Sequence, residues 1–393
     1  MKGQQDYHIE IECFQQTKAG ESACGDYFEV QKIANENRVL AVLSDGLGSG
    51  IKANILSTIT ATMALKFFSE DWDLSHAARV IMDTLPVCEV RKISYATFTA
   101  VDILHDGRVR VIEMDNPAYL HLRGGYVETH QKQVIQSQNW PGRQMTYSEF
   151  KLAPEDRIIF MTDGVTQAGI GSDQLPFGWG RDACIDFVEH VVKRQTDISA
   201  ARLSSQVVKT ALSKNRQHKC IDDISCASVY FRKPRKMVVA SGPPFRKEND
   251  LRMSRLFDGF EGRKVICGGT TATIIARELG RTVELKLNTA VSDLPPVSVM
   301  EGVEVVTEGI LTLTELCSYL DKGMKRRPEE PVALLAKALM ESDCIEFLIG
   351  TKVNEAHQDP TLPVDLEIRR NILKRIMWLL EEKFNKSVSY RYF

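Results

Sequence analysis

The chain has 393 residues, of which 43% are hydrophobic and 26% are charged, and its formal net charge is -2. This length exceeds what one ordinary core accommodates, so two domains are expected, and the composition is that of a folded protein. The net charge is close to zero, so it gives no indication that the chain binds nucleic acid or an anionic membrane surface. No apolar run approaches the ~20 residues that span a bilayer. With no signal-peptide pattern and nine scattered cysteines without a CxxC pair, we expect a cytoplasmic protein with reduced thiols.

The first 235 residues combine short strands with two pairs of helices. The strand segments are rich in β-branched and aromatic residues, and hairpins are predicted around Asp106-Gly107 and Gly124-Gly125. Apolar residues at three- and four-residue spacing predict helices over about 51–68, 74–85, 181–194 and 198–214. This order predicts an α+β fold, an antiparallel sandwich with helices on the outside.

A segment with three prolines and a basic cluster, 231–245, predicts the boundary between two domains, 1–235 and 236–393. Beyond it, strands alternate with helices predicted over about 248–260, 271–280, 313–323, 330–342 and 364–384. Such alternation with short turns predicts a smaller α/β domain, Rossmann-like, with a mostly parallel sheet. Its expected role is regulation or the binding of a small ligand or a partner protein.

Five aspartates of the first domain stand where predicted strands begin or end. They are Asp26, Asp45, Asp163, Asp222 and Asp223. Any one Asp-Gly strand end is typical of an ordinary turn, but a sandwich can bring all of these segments to one edge. Clustered carboxylates repel one another and are costly to bury unpaired. Carboxylates and backbone carbonyls are the ligands of Mg²⁺ or Mn²⁺, so the pattern predicts a divalent metal site.

Two such metals roughly 3.5–4 Å apart, bridged by hydroxide, can hydrolyse phosphate esters without a side-chain nucleophile. In agreement, the sequence contains no GxSxG elbow, no HExxH pair and no Walker A loop. The pattern therefore favours metal-dependent phosphate-ester hydrolysis.

Residues 8–233 resemble the metal-dependent protein serine/threonine phosphatases (PPM), and within them the SpoIIE-like branch. The similarity lies in four motifs: Gly25-Asp26-Tyr27, the SDGLGSG run at 44–50, Met161-Thr162-Asp163-Gly164 and Asp222-Asp223-Ile224-Ser225. The resemblance implies an αββα sandwich with two Mn²⁺ or Mg²⁺ ions. It also implies cleavage of a phosphoserine or phosphothreonine by a metal-bridging hydroxide.

The resemblance also implies a role for each matching residue. Asp45 is expected to bridge both metals and, with Asp163, to act in catalysis through metal-bound water. Asp26 and the Gly46 carbonyl would hold one metal, and Asp163 and Asp222 the other. Whether Asp223 is also a ligand stays open.

One departure concerns phosphate capture. Many relatives carry an arginine four residues before an acidic pair, where it grips the substrate phosphate, but Glu21 occupies that position here. SpoIIE-like members share this absence. Lys18 and Lys52 are candidate replacements, although a solvated surface lysine is the favoured interpretation of each.

The resemblance further suggests a partner-switching role, with an anti-anti-sigma (STAS-type) phosphoprotein as substrate and the two helices after Gly50 as a regulatory switch. Two other interpretations stay open. The chain could be a catalytically weak signalling or sensor module on the phosphatase fold, or a metal-dependent hydrolase of small phosphate esters. A homodimer is also open.

In the second domain, Gly268, Gly269, Thr270 and Thr271 join a strand to a helix. Backbone N–H groups at such a helix start can hold a phosphate or another anion. The alternative is an ordinary tight turn, because GGTT matches neither GxGxxG nor Walker A.

Overall fold

The computed structural model describes residues 7–33, 38–70, 74–84, 96–137, 139, 143–285, 295–323, 327–352, 363–384 and 386–393. The chain divides into two compact units, Met1–Lys233 and Pro234–Phe393. Across these ranges, no helix has both the length and the apolar character needed to cross a membrane.

The strands of the first unit form two antiparallel sheets. In chain order they are β1 (His8–Gln16), β2 (Asp26–Ile33), β3 (Arg38–Gly46), β4 (Ala96–Leu104), β5 (Arg108–Met114), β6 (Leu120–Arg123), β7 (Tyr126–Glu128), β8 (Gln133–Gln136), β9 (Gln144–Lys151), β10 (Arg157–Met161) and β11 (Ile224–Arg232). One sheet has the order β2-β3-β4-β5-β9-β8 and the other β1-β11-β10-β6-β7. Both predicted hairpins are present, as the β4–β5 and β6–β7 pairs.

The helices of the first unit cover the outer faces of these sheets. They are α1 (Gly50–Ser69), α2 (Leu74–Thr84), α3 (Asp163–Thr166), α4 (Arg181–Arg194) and α5 (Ala200–Lys214). Helices α1 and α2 share a core with the six-stranded sheet, and α4 and α5 share one with the five-stranded sheet. A third core fills the space between the sheets. The unit is therefore a four-layered αββα sandwich, as the sequence predicts.

Strand β3 illustrates how the alternation of side chains builds these layers. Leu40 and Val42 face the helices, whereas Val39, Ala41 and Leu43 face the second sheet. A strand that is buried on both faces has a continuous apolar run in its sequence, and β3 has one.

Helix α1 buries small residues rather than large ones. Ala53, Ser57, Thr60, Ala61 and Ala64 are among its buried side chains. On the other side of the helix, three isoleucines are 48–62% exposed: Ile51, Ile55 and Ile59. Small residues on the buried face let the helix backbone approach the sheet closely. The apolar spacing correctly predicts this helix but not which of its residues are buried.

The second unit is built on one seven-stranded sheet. Its strands are β12 (Lys236–Ser241), β13 (Arg263–Cys267), β14 (Glu284–Leu285), β15 (Ser298–Met300), β16 (Val303–Thr307), β17 (Cys344–Ile349) and β18 (Ser387–Tyr392). The order is β14-β15-β16-β13-β12-β17-β18. Neighbouring strands pair in parallel along the series β16, β13, β12, β17 and β18. The β14–β15 and β15–β16 pairs are antiparallel.

Helices lie on both faces of this sheet. They are α6 (Asn249–Asp258), α7 (Gly269–Leu279), α8 (Ile310–Lys322), α9 (Pro331–Met340) and α10 (Pro363–Glu382). Helices α6 and α7 share one core with the sheet, and α8, α9 and α10 share the other. Strand β18 is not predicted from the sequence, because its side chains are largely exposed at a sheet edge and lack apolar alternation.

Candidate metal centre

Strand pairing brings the two N-terminal motifs together at one end of the sandwich. Asp26 at the start of β2 is the register partner of Asp45 near the end of β3. Partners directly opposite in an antiparallel pair project to the same face. The two carboxylates therefore face each other by register alone.

The second sheet delivers the other two motifs to the same place. Asp163 begins α3 directly after β10, and Asp222 and Asp223 precede β11, which pairs with β10. Two hydroxyl groups, those of Thr162 and Ser225, bind Asp26 and thereby link the two sheets. The Oδ2 atom of Asp26 accepts hydrogen bonds from Thr162 Oγ1 at 2.9 Å and from Ser225 Oγ at 2.6 Å.

The pKa values of these carboxyl groups depend on one another. Burial, together with the charges of Asp26, Asp163 and Asp222, raises the pKa of Asp45 to about 9. Burial also raises the pKa of Asp26 to about 7, although the Ser225 and Thr162 hydroxyls act in the opposite direction. The pKa of Asp222 is raised as well, chiefly by burial and in part by Asp163. The charges of Asp26, Asp163 and Asp222 thus all act on the carboxyl group of Asp45.

Asp223 has a different environment. Its Oδ1 accepts the Lys18 backbone N–H at 2.9 Å and its Oδ2 the Gly25 N–H at 3.0 Å. Both oxygens are engaged by the loop that leads into Asp26. The side chain therefore fixes that loop against the start of β11.

The glycines beside the aspartates allow close packing. A Cβ on Gly46 would overlap the Ala53 carbonyl oxygen of α1, and one on Gly164 would overlap the Asp223 carbonyl oxygen. Both positions therefore exclude a side chain because backbone lies against them. The sequence predicts that Gly46 exposes a carbonyl. The structure adds that the missing side chain of Gly46 lets the Ala53 backbone of α1 pack against it.

The donor set of this cluster fits divalent metal ions. Asp26, Asp45, Asp163 and Asp222 supply only oxygen atoms, which suit Mg²⁺ or Mn²⁺. Their mutual repulsion helps to raise two of the pKa values to about 7 and about 9, and within the described residues the cluster contains no arginine that compensates it. A cation is the group that removes this repulsion.

The candidate phosphate-binding cations differ in position. The Lys18 charge acts on Asp222, where it opposes the rise in pKa, so Lys18 lies beside the cluster. Lys52 is an exposed residue of α1. Glu21, at the position of the missing arginine, accepts a hydrogen bond from Ser49 Oγ at 2.8 Å and thereby contacts the start of α1.

Two positioning residues, Thr162 and Ser225, are not singled out by the sequence reasoning. Each lies within a quoted motif, one residue before Asp163 and two after Asp223. A hydroxyl at a fixed offset from a strand-end aspartate is the signal that could identify them. Their contact with Asp26 depends on the pairing of distant segments, and strand prediction does not provide that pairing.

Cysteine nucleophiles are not supported near this site. Burial, followed by the Asp26 charge, raises the pKa of the Cys24 thiol well above its usual value. Cys226 and Arg232 have the CxxxxxR spacing of a phosphate-binding loop, but both lie in the buried, extended strand β11. Burial also raises the pKa of Cys226 well above its usual value, so both thiols stay protonated.

In the second unit, the predicted ligand-binding residues lie where β13 meets α7. Gly268 has a φ of 135°, and its N–H donates to the Thr307 carbonyl at 2.9 Å. A Cβ added to Gly269 would meet no atom within 4 Å, whereas Thr271 is buried. The turn is thus open at Gly269 and tied to β16 at Gly268.

The four layers and the carboxylate cluster define a PPM-type phosphatase fold. The family model for Stage II sporulation protein E (SpoIIE) matches residues 35–232. The chain belongs to the SpoIIE family, whose phosphatase domain is PP2C-like. A comparison with curated proteins found no match.

Three of the solved structures to which the chain is similar are the following. The SpoIIE phosphatase domain from Bacillus subtilis is 15% identical, with a TM-score of 0.45 over 59% of this chain and 95% of that chain. The RsbU and RsbW domains of Rv1364c from Mycobacterium tuberculosis are 17% identical, with a TM-score of 0.46 over 64% of this chain and 66% of that one. The PstP catalytic domain, solved with two manganese ions, is 14% identical, with a TM-score of 0.38 over 57% and 99%.

Proposed function

We propose that this chain is a Mn²⁺- or Mg²⁺-dependent protein phosphatase that hydrolyses phosphoserine or phosphothreonine on a regulatory protein. The observation that carries the proposal is that the charges of Asp26, Asp163 and Asp222 all act on Asp45 within a SpoIIE-family domain. Family membership also supports a STAS-type phosphoprotein as the substrate.

In this proposal Asp26, Asp45, Asp163 and Asp222 would hold two metal ions. When bound, such ions acidify a water molecule, orient the phosphoryl group and neutralise its developing charge. The chain's own contribution is to keep the ligands in place. Thr162 and Ser225 orient Asp26 through the hydrogen bonds described above.

The residues beside the cluster support a mechanism without a phosphoenzyme. Burial, followed by the charge of Asp26, raises the pKa of the Cys24 thiol and keeps it protonated. Lys18 lies beside Asp222 and offers a positive charge to a bound phosphate. Because Asp223 is engaged by two backbone N–H groups, we assign it to loop positioning rather than to metal binding.

The test is hydrolysis of a phosphoserine peptide, a phosphorylated STAS protein and p-nitrophenyl phosphate with Mn²⁺, with Mg²⁺ and with EDTA. Metal-dependent turnover of the phosphoproteins, absent in Asp45→Asn, is expected. Turnover of the small ester alone would favour the small-ester hydrolase. Absence of turnover in every case would favour the catalytically weak signalling module.

We propose a Rossmann-like ligand-binding role for the second unit. Its parallel strands have the order β16-β13-β12-β17-β18, which is the 3-2-1-4-5 order of doubly wound sheets when the five are numbered along the chain. The turn at Gly268, Gly269, Thr270 and Thr271 then lies at the carboxyl end of β13, one strand away from the switch point between β12 and β17 where such folds bind ligands. Thermal shifts against a nucleotide panel test this, since a ligand at 100 times its Kd stabilises by about 2.7 kcal/mol.

A further inference from the structure

A second cluster of metal-ligating side chains lies in the β6–β7 hairpin. It consists of His121, Glu128 and His130, whose ligand atoms all lie within 4.8 Å of one another. His121 is the register partner of Glu128 across the hairpin, and His130 follows two residues later. Strand pairing therefore places a histidine opposite a carboxylate, with the second histidine beside them.

The hairpin is remote from the aspartate cluster along the strands. It forms the edge of its sheet, next to β10, and His121 pairs with Ile158 near the start of β10. Asp163 lies beyond the other end of that strand. The histidine cluster therefore belongs to the opposite end of β10.

His121 is buried, and hydrogen bonds orient its ring. Its Nε2 lies 3.1 Å from Asp156 Oδ2. The same carboxylate accepts bonds from Arg123 Nη2 at 2.7 Å and from the Ala153 N–H at 2.8 Å. A carboxylate surrounded by donors acts as the acceptor, so Nε2 carries the proton and Nδ1 presents its lone pair. A carboxylate behind a ligating histidine is the arrangement that orients imidazoles in metal sites.

The lone pair of His121 Nδ1 faces the other two side chains. His130 Nε2 lies 2.7 Å away and Glu128 Oε2 lies 3.7 Å away. Tetrahedral Zn²⁺ with its usual bond lengths holds two nitrogens about 3.3 Å apart. The two nitrogens of His121 and His130 need to move apart by only a fraction of an ångström to reach this separation. His130 is only partly buried, which leaves room for that movement.

Aromatic packing limits the movement of both rings. Phe150 stacks on His130 with ring centroids 4.0 Å apart, and its centroid lies 4.8 Å from that of His121. Glu128 is 40% exposed, which leaves an entry path for an ion. Arg123 Nη1 lies 3.1 Å from Glu128 Oε2, the same oxygen that faces His121.

We propose that His121, Glu128 and His130 form a transition-metal site of the Zn²⁺ type, which ties the edge hairpin β6–β7 together. Two imidazoles and one carboxylate are a ligand set that Zn²⁺ uses with a further position open. The donors differ from the all-oxygen aspartate cluster, so the two sites select different ions. The site is separate from the proposed phosphatase chemistry.

The test uses the full-length protein after EDTA treatment, titrated with Co²⁺ in excess Mg²⁺ and then with Zn²⁺ as competitor. Excess Mg²⁺ fills oxygen-only sites, so visible Co²⁺ absorption reports nitrogen ligands. We expect one Co²⁺ per chain, displaced by Zn²⁺. His130→Ala and Glu128→Gln should each weaken Zn²⁺ binding at least about tenfold.

Two controls separate this site from other histidines and from the aspartate cluster. His105→Ala changes an exposed histidine in the β4–β5 turn, and Asp45→Asn changes the other site; both should bind Co²⁺ as the wild type does. Circular dichroism checks that each variant is folded. The proposal is overturned if the wild type binds no Co²⁺ in excess Mg²⁺, or if folded His130→Ala and Glu128→Gln keep wild-type affinity.

Discussion

Asp26 and Asp45 are register partners on adjacent antiparallel strands, and their carboxyl groups face each other at the end of a sandwich. This pairing places like charges where burial already raises the pKa of both. The arrangement is costly for the metal-free chain, and it is what a divalent cation relieves.

Asp45→Asn should therefore change stability in opposite directions with and without metal. In EDTA, we expect the variant to exceed the wild type by about 1–2 kcal/mol in free energy of unfolding, because the wild type must protonate Asp45 on folding, its pKa being raised to about 9, and an asparagine needs no proton. In saturating Mn²⁺, the wild type should gain stability and the variant little. Urea denaturation at one fixed pH measures both. Equal metal-induced gains in the two proteins would contradict the assignment of Asp45.

Ser225→Ala should weaken metal activation without unfolding the protein. It removes the 2.6 Å hydrogen bond that orients Asp26 Oδ2, and loss of such a supporting contact costs about 10–100-fold in metal affinity or activity. The Mn²⁺ concentration that gives half-maximal turnover measures this. Ser213→Ala, on the exposed side of α5, is the matched control and should leave that concentration unchanged.

Gly46→Ala should disturb the packing of α1 on the site. The added methyl group would overlap the Ala53 carbonyl oxygen, and overpacking of this kind costs about 1–3 kcal/mol. A lower thermal midpoint and lower turnover are expected. Gly269→Ala is the comparison, because a methyl group there meets no atom within 4 Å. A wild-type midpoint and wild-type turnover for Gly46→Ala would show that α1 does not need this contact.

A buried ion pair at the other end of β3 should matter for stability alone. Arg38 donates to Asp102 through Nε at 2.7 Å and through Nη2 at 3.0 Å, and both side chains are 3% exposed or less. Asp102→Ala leaves Arg38 buried without this carboxylate, which costs about 3–5 kcal/mol. Urea denaturation measures the loss.

The comparison for that variant is an exposed ion pair. Asp106 and Arg108 are 45% and 59% exposed, and such pairs contribute about 0–1 kcal/mol. Asp106→Ala should therefore leave the urea midpoint nearly unchanged. If the two variants lost the same stability, burial would not govern the strength of these pairs.

The helices and most strands follow from local sequence patterns because each element obeys its own period. Helix α4 spans Arg181–Arg194, the range that apolar spacing predicts, and α10 agrees to within two residues at its ends. Strand β18 is missed because an exposed edge strand needs no apolar face. In α1 the apolar spacing predicts the helix but not its buried side. The buried side carries small residues, which let the helix approach the sheet closely.

For the candidate site, the sequence by itself determined the candidate residues: the strand-end aspartates and the glycines beside them. Only the tertiary structure determined which residues contact one another at the site. The Asp26–Asp45 register, the hydroxyls of Thr162 and Ser225 on Asp26, and the backbone bonds of Asp223 join segments far apart in the chain. In the histidine cluster, the hairpin register pairs His121 with Glu128, and only the packing of the more distant turn before β10 brings Asp156 to the His121 ring. Local propensity sets the elements, whereas contacts between distant segments arise only when the layers pack.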